Sequence, residues 1–161
     1  ALRYGERVGC GLLTLIVRPL YSRMSLQEPE IETLLAPFRK IGAYIYMPRD
    51  EGGSPIVWGI QCRNTHATDD HVALLRLFPS LRAVGFAGTS ISNDAIRHFS
   101  DLRRLESLDL DSTCIDDTGL ATLETMSWLE FLHIQHTCVT SSGVRDLQAR
   151  LPKCEIVSDF T

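Results

Sequence analysis

The chain has almost no lysine. Of its 161 residues only Lys40 and Lys153 are of that type, and the net charge is −4. Nucleic acid is held by clustered Lys and Arg. Here the arginines are scattered, and one small group, Arg97, Arg103 and Arg104, reads as a solvated helix face. Nucleic acid is not an expected partner. A C-x-x-C pair is missing too. The five cysteines, at 10, 62, 114, 138 and 154, are odd in number, so neither a disulfide framework nor a zinc finger follows. Reduced thiols in a reducing compartment do. Long apolar runs are absent as well. "VGCGLLTLIV", Val8 to Val17, holds ten residues between Arg7 and Arg18, whereas a helix crossing a bilayer needs about 20. No small-residue cleavage site follows it in "RPLYSRM". What is present, 44% hydrophobic and 22% charged residues without low-complexity tracts, suits one domain with a sizeable core.

The second half repeats with a period of 24 residues, in units starting at Val57, Leu81, Leu105 and Leu129. Seven columns in each unit, at positions 1, 4, 6, 11, 16, 19 and 22, are expected to be apolar. Of these 28 places 27 are, counting Cys62 and Ala67; the exception is Arg150, with Leu151 beside it. Self-similarity of this kind marks a repeat architecture. Within each unit the period changes. Columns 4 and 6, such as Leu108 and Leu110, alternate with polar residues and predict a short strand with one buried face. Columns 16, 19 and 22–23 keep the spacing of a helix stripe.

Between strand and helix, column 12 holds Thr68, Ser92, Asp116 and Thr140, all preferred N-cap residues. Asp69, Asp70, Asp94 and Asp117 follow in the first turn, where the helix dipole favours acids. Column 9 is Thr65, Thr89, Thr113 and Thr137. A threonine fixed where the strand turns predicts a ladder of hydroxyls bonded to buried backbone groups. Four nucleophiles at one repeat position would be an implausible catalytic design.

Strand, loop and capped helix every 24 residues resembles a leucine-rich repeat. The runs "LESLDLDSTCIDDTGLATL" and "LEFLHIQHTCVTSSGVRDL" are similar to the bacterial branch of that family and to the cysteine-containing repeats of F-box substrate receptors. Departures are Gly59 and Gly85 inside strands, and His71 and Ala95 where the pattern has Gly. The resemblance implies an α/β solenoid, a horseshoe segment with parallel strands on the concave face and helices on the convex face. It also implies that Cys114 and Cys138, which share column 10 of adjacent units, are packed and reduced. Their Cα atoms should lie near ~5 Å apart, within disulfide range.

Four segments are expected. Residues 1–27 form a docking helix or the remnant of a membrane anchor, since many bacterial relatives carry one upstream. Residues 28–56 form an N-terminal cap of helix ("EPEIETLLAPFRKIG"), strand ("AYIYMP") and turn ("RDEGGSP"). Residues 57–152 form four repeats, and residues 153–161 a C-terminal capping strand. Localisation is accordingly cytoplasmic, or membrane-anchored through the segment upstream of residue 20 if the native chain extends further.

One stretch suggests chemistry. "LDLDST", Leu108 to Thr113, resembles the nucleophile strand of haloacid-dehalogenase-type phosphatases, and Asp-x-Asp also opens an EF-hand calcium loop. Neither pattern continues. Cys114 stands where the calcium loop needs Gly and Leu120 where it needs Glu, and no phosphate loop or suitable later lysine accompanies Asp109. In the repeat frame Asp109 aligns with Gln61, Gly85 and His133, and Asp111 with Arg63, Ala87 and Gln135. These are variable positions. A cation-dependent phosphatase built on Asp109 and Asp111 is the lesser alternative, and a site made by Asp111, Asp116 and His136 lacks the convergent ligands a metal needs. Asp109 beside His133 is expected to form a solvated ion pair.

Residues of the strands that face away from the core are the candidate contacts: Trp58, Arg63, Arg82, Asp109, Asp111, Phe131, His133 and Gln135, around a shallow floor of Ala83, Gly85 and Ala87. Exposed aromatics flanked by Arg and Asp have the composition of a contact patch. Against this, Trp58 could pack on the N-terminal cap and Phe131 on the C-terminal segment. The expected function is a non-enzymatic module binding a protein or peptide on its concave face, with no cofactor and no metal. A structural or adaptor fragment of a larger membrane-associated assembly is the second alternative.

Overall fold

The computed structural model describes residues 28–160; the apolar segment Val8–Val17 lies outside them. The described chain begins with helix α1, Glu28–Lys40, which buries Ile31, Leu35 and Phe38 and carries Glu28 and Glu30 at its start and Arg39 and Lys40 at its end. It stops where Gly42 takes φ +79. There Gly42 N donates to Arg39 O and Ala43 N to Phe38 O, both at 3.0 Å. This is the paired closure that a glycine in the left-handed region allows. Phe38 then meets Phe78 edge-on at 6.1 Å. A tight turn over residues 50–54 follows strand β1 (Tyr44–Tyr46), with Asp50 Oδ1 accepting from Gly52 N and Ser54 N.

Strands β2 (Gly59–Gln61), β3 (Ala83–Gly85), β4 (Ser107–Asp109), β5 (Phe131–His133) and β6 (Glu155–Val157) run parallel, in that order, and β1 joins β2 antiparallel at the edge. The register steps by one 24-residue unit throughout: Ile60 opposes Val84, Val84 opposes Leu108, Leu108 opposes Leu132, and Leu132 opposes Ile156. A period-2 strand places alternate residues on opposite faces. The middle residue of each triplet therefore turns to the core and its two neighbours look outward, although the outward glycines Gly59 and Gly85 are themselves covered. All 27 apolar repeat positions are buried. The result is a mixed α/β solenoid of leucine-rich repeat type.

Each strand leaves the sheet through the same corner. Column 8 holds Asn64, Gly88, Ser112 and His136, all with positive φ between 55° and 66°. Three of these are not glycine, so the repeat imposes a left-handed residue even where the side chain disfavours it. One residue later the threonine hydroxyls donate to the backbone of their own corner. Thr65 bonds Cys62 O, Thr89 bonds Phe86 O, Thr113 bonds Leu110 O and Thr137 bonds Ile134 O, at 2.6–2.8 Å. Own-turn bonding, rather than bonding to the neighbouring turn, is the form the ladder takes.

The opposite side carries α2 (Asp69–Leu74), α3 (Asn93–Ile96), α4 (Asp117–Leu123) and α5 (Ser141–Arg150). Their N-caps are Thr68, Ser92, Asp116 and Thr140. The first two helices are short and run on into 3₁₀ turns, Leu75–Leu77 and Arg97–Asp101. Their apolar residues, Val72, Leu75, Phe78 and Ile96, Phe99, Leu102, recur every third position, a spacing that Leu120, Leu123 and Met126 share in the third unit, where α4 is α-helical. In the last unit the stripe is Val144, Leu147 and Leu151, and there a ten-residue α-helix forms. At the departure, Arg150, Leu151 takes the core place.

Arg97, Arg103 and Arg104 do not share a helix face. Arg97 opens the second 3₁₀ turn, whereas Arg103 and Arg104 lie in the segment leading to β4, where the Arg103 guanidinium sits 4.6 Å from the Trp128 ring centroid. The packed thiols are a second correction. Cys114 and Cys138 are both exposed and free, because column 10 points outward between the inward columns 9 and 11. Among the described residues no helix is long and apolar enough to cross a membrane.

Candidate binding face

The outward residues of the sheet form one surface, and β1 extends it. Antiparallel pairing sets Tyr44 opposite Gln61 and Tyr46 opposite Gly59, so both tyrosines stand beside the outward positions of β2, 67% and 50% exposed. Tyr46 lies 6.1 Å from Trp58 between ring centroids, and the Arg82 guanidinium lies 5.1 Å from the Trp58 ring centroid. Arg82 is also ion-paired to Glu106 one unit further on. Trp58 is therefore packed on the strand that precedes the repeats and still 38% exposed. At 5.1 Å a cation–π attraction draws the Arg82 guanidinium to the Trp58 ring.

The floor beside this cluster is low. Ala83 is half-buried and Gly85 and Ala87 are buried. A Cβ at Gly85 would run into the Gln61 side chain, which lies across it. On the far side Phe131 is 43% exposed, with Glu155 opposite it in register. Arg63 is exposed at the rim, while His133 and Gln135 are half-buried.

The two aspartates are occupied. Asp109 Oδ1 accepts from Asp111 N at 3.1 Å, and Asp111 Oδ1 accepts from Gln135 N in the next unit at 2.7 Å. Asp109 does oppose His133 in register, but its carboxylate turns back to its own chain. The histidine–carboxylate pair that forms is His136 Nδ1 with Asp159, at 3.5 Å, and Asp159 also accepts from His136 N at 2.7 Å. Asp111 and Asp116 serve different backbone N–H groups and the His136 ring faces Asp159, and the described residues hold no group of three or more His, Cys, Asp or Glu arranged for a metal ion.

Asp116 caps α4 by accepting from Thr118 N at 2.8 Å, and also accepts from the Asn93 amide at 2.6 Å. The Thr118 bond is the main reason its carboxyl titrates below the usual range, with burial opposing it and the Asn93 bond assisting. This joint recurs. Ser92 donates its N–H and hydroxyl to Asp69, and Thr140 donates the same two groups to Asp117, at 2.6–2.8 Å. Column 13 of one unit therefore clamps the cap of the next. A dipole argument explains why acids suit this first turn, but their partners are one repeat away. The 23-residue offset between them in the sequence was the available signal.

Tyr44, Tyr46 and Glu106 are members of the face that column counting within the repeats does not reach or select. The alternation Tyr-Ile-Tyr, with Ile45 inward, is the signal for the first two.

No protein-family model and no curated protein matches this chain. Solved structures similar to it include an internalin C2 of Listeria monocytogenes, at 15% identity over 53% of this chain and 35% of that one, TM-score 0.45. An internalin (inlF) of the same species gives 18% over 65% and 35%, TM-score 0.46. The leucine-rich repeat ectodomain of the receptor kinase SOBIR1 from Arabidopsis thaliana gives 10% over 82% and 92%, TM-score 0.46. The chain spans about a third of the two internalin chains.

Proposed function

We propose that this chain is a non-catalytic interaction module that binds a protein or peptide across the outward face of its sheet. The observation that carries the reading is the pair of exposed aromatic groups, Tyr44, Tyr46 and Trp58 at one end and Phe131 at the other, around the low floor of Ala83, Gly85 and Ala87. Large rigid aromatics in partly desolvated positions are the side chains that dominate measured interface energies. Phe131 and the two tyrosines project from strands, so ordering them on binding loses little freedom. Arg63 and Arg82 supply polar contacts beside the apolar ones, with Asp109 acting mainly by holding Asp111 N and Asp111 by holding Gln135 N.

The test is affinity capture from native lysate with wild type and a Trp58→Ala, Phe131→Ala double variant, followed by titration of each captured protein against both. Both residues are substantially exposed, so the variant should keep the wild-type circular dichroism spectrum. Loss of about tenfold or more in affinity is expected, since truncating one hot-spot residue costs roughly 2 kcal/mol or more. Equal affinity of wild type and double variant for every captured partner would sink the assignment to this face. Arg145→Ala, on the helical side, serves as the control for unspecific loss.

A further inference from the structure

Two exposed thiols stand at the same column of adjacent turns. Cys114 and Cys138 are both free and accessible, and the chain holds them in register from either side. Ser112 N donates to Gln135 O at 2.8 Å just before them, and Cys138 N donates to Ile115 O at 2.9 Å. Ser112 and His136 share φ 56°, and Thr113 and Thr137 close their corners with the same hydroxyl bond. Two corners of one conformation, one sheet spacing of ~4.8 Å apart, bring the two cysteine Cα atoms inside the ~4.4–6.8 Å that a disulfide spans. The other described cysteines are unlike them. Cys62 and Cys154 are buried, and burial pushes their thiols up to about 12 and about 11.

We propose that Cys114 and Cys138 form a surface dithiol site for small-molecule disulfides, which oxidise it by thiol–disulfide exchange to a bridge between the third and fourth repeats. One cysteine, as thiolate, attacks a sulfur of the reagent RSSR. The reagent S–S bond breaks, a mixed disulfide forms, and the first RS⁻ leaves and takes up a proton as RSH. The second cysteine thiolate attacks the protein sulfur of that mixed disulfide. The new protein S–S bond forms and the second RSH leaves. The two cysteines together lose two electrons and two protons, which the reagent gains. A reducing dithiol in excess reverses the sequence.

The test uses the full chain carrying Cys10→Ser, incubated with glutathione disulfide at neutral pH, then alkylated and mapped by mass spectrometry after unfolding. The expected product is a monomer lacking two alkylatable thiols, with Cys114 and Cys138 in one cross-linked peptide pair and Cys62 and Cys154 fully alkylated. In the Cys138→Ser variant, Cys114 should instead stop at the glutathione mixed disulfide, and in Cys114→Ser the same should hold for Cys138. Stable double glutathionylation without closure would overturn the proposal, as would cross-links between molecules or full alkylation of both residues. Both positions are exposed, so wild-type circular dichroism of the serine variants checks that the fold is intact.

Discussion

Replacing Thr113 by Val isolates what the threonine ladder does. The two side chains have the same shape, so the substitution leaves no cavity and removes only the hydroxyl that donates to Leu110 O at 2.7 Å. Thr113 is 4% exposed, so water cannot readily replace that donor. A buried carbonyl left without its partner costs about 1–3 kcal/mol. The methyl that replaces the hydroxyl returns at most about 0.8 kcal/mol of burial. A net loss of about 0.2–2 kcal/mol is therefore expected for Thr113→Val. Thr137 makes the same bond to Ile134 O but is only half-buried, so water can take over and Thr137→Val should cost less than about 1 kcal/mol. Thr113→Ser keeps the hydroxyl and loses a methyl, at a cost of roughly 0.5–1.5 kcal/mol by analogy with other single-methyl deletions. Urea unfolding followed by circular dichroism and by tryptophan fluorescence measures all three, provided the slopes with denaturant agree. Wild-type stability in Thr113→Val, or equal losses at 113 and 137, would refute the claim that buried hydroxyl bonds hold the corners.

Two further perturbations probe the joints on the helical side. The Asp116 carboxyl is held below its ordinary value chiefly by the Thr118 N–H, with the Asn93 amide assisting. A depressed folded pKa stabilises above the unfolded value, near ~3.9, and the contribution is lost as pH falls through the folded value. Urea midpoints should therefore hold from neutral pH to about 5 and decline below about 4, and Asp116→Asn should decline less steeply over that acid range. Equal slopes for the two proteins would remove Asp116 from the account. Gly143→Ala sets helix propensity against the inter-repeat clamp. Alanine is favoured over glycine in a helix by about 1 kcal/mol, but its Cβ would overlap the Asp117 carboxylate that accepts from Thr140 N and Oγ1. Destabilisation by about 1–3 kcal/mol is expected, the cost of breaking hydrogen bonds to a charged group, and a raised urea midpoint would show that the clamp contributes little.

The scaffold could be read from the sequence because its parts answer to a single repeated demand. A buried column must be apolar in every unit, and a corner must satisfy the same carbonyl each time, so Leu108, Leu110 and Thr113 are defined by their counterparts in other units. The same logic identified Thr68, Ser92, Asp116 and Thr140 as caps. What escaped was whatever depends on direction. Column counting gives the place of Asp109 and Asp111 but not that their carboxylates turn to backbone N–H groups. It puts Cys114 and Cys138 side by side without saying that they point outward. Charges in the first helical turn looked like a local electrostatic preference, whereas Asp69 and Asp117 reach across to the next cap.

These differences sharpen where partner recognition can reside. Polar side chains that bond the backbone of a neighbouring unit, such as Asp111 with Gln135 N, lose a structural bond whenever they reorient toward a ligand. Their substitution would lower stability and binding together, and binding assays alone would misassign them. Trp58, Tyr44, Tyr46 and Phe131 have no such duty among the hydrogen bonds that fix the solenoid, and the repeat pattern places no constraint on their identity. Aromatic residues at positions the fold leaves open are the more informative feature of this surface than the acidic pair that first resembled a catalytic motif. The proposed partner face rests on side chains the scaffold does not need, and stability measured beside affinity is what separates them from the rest.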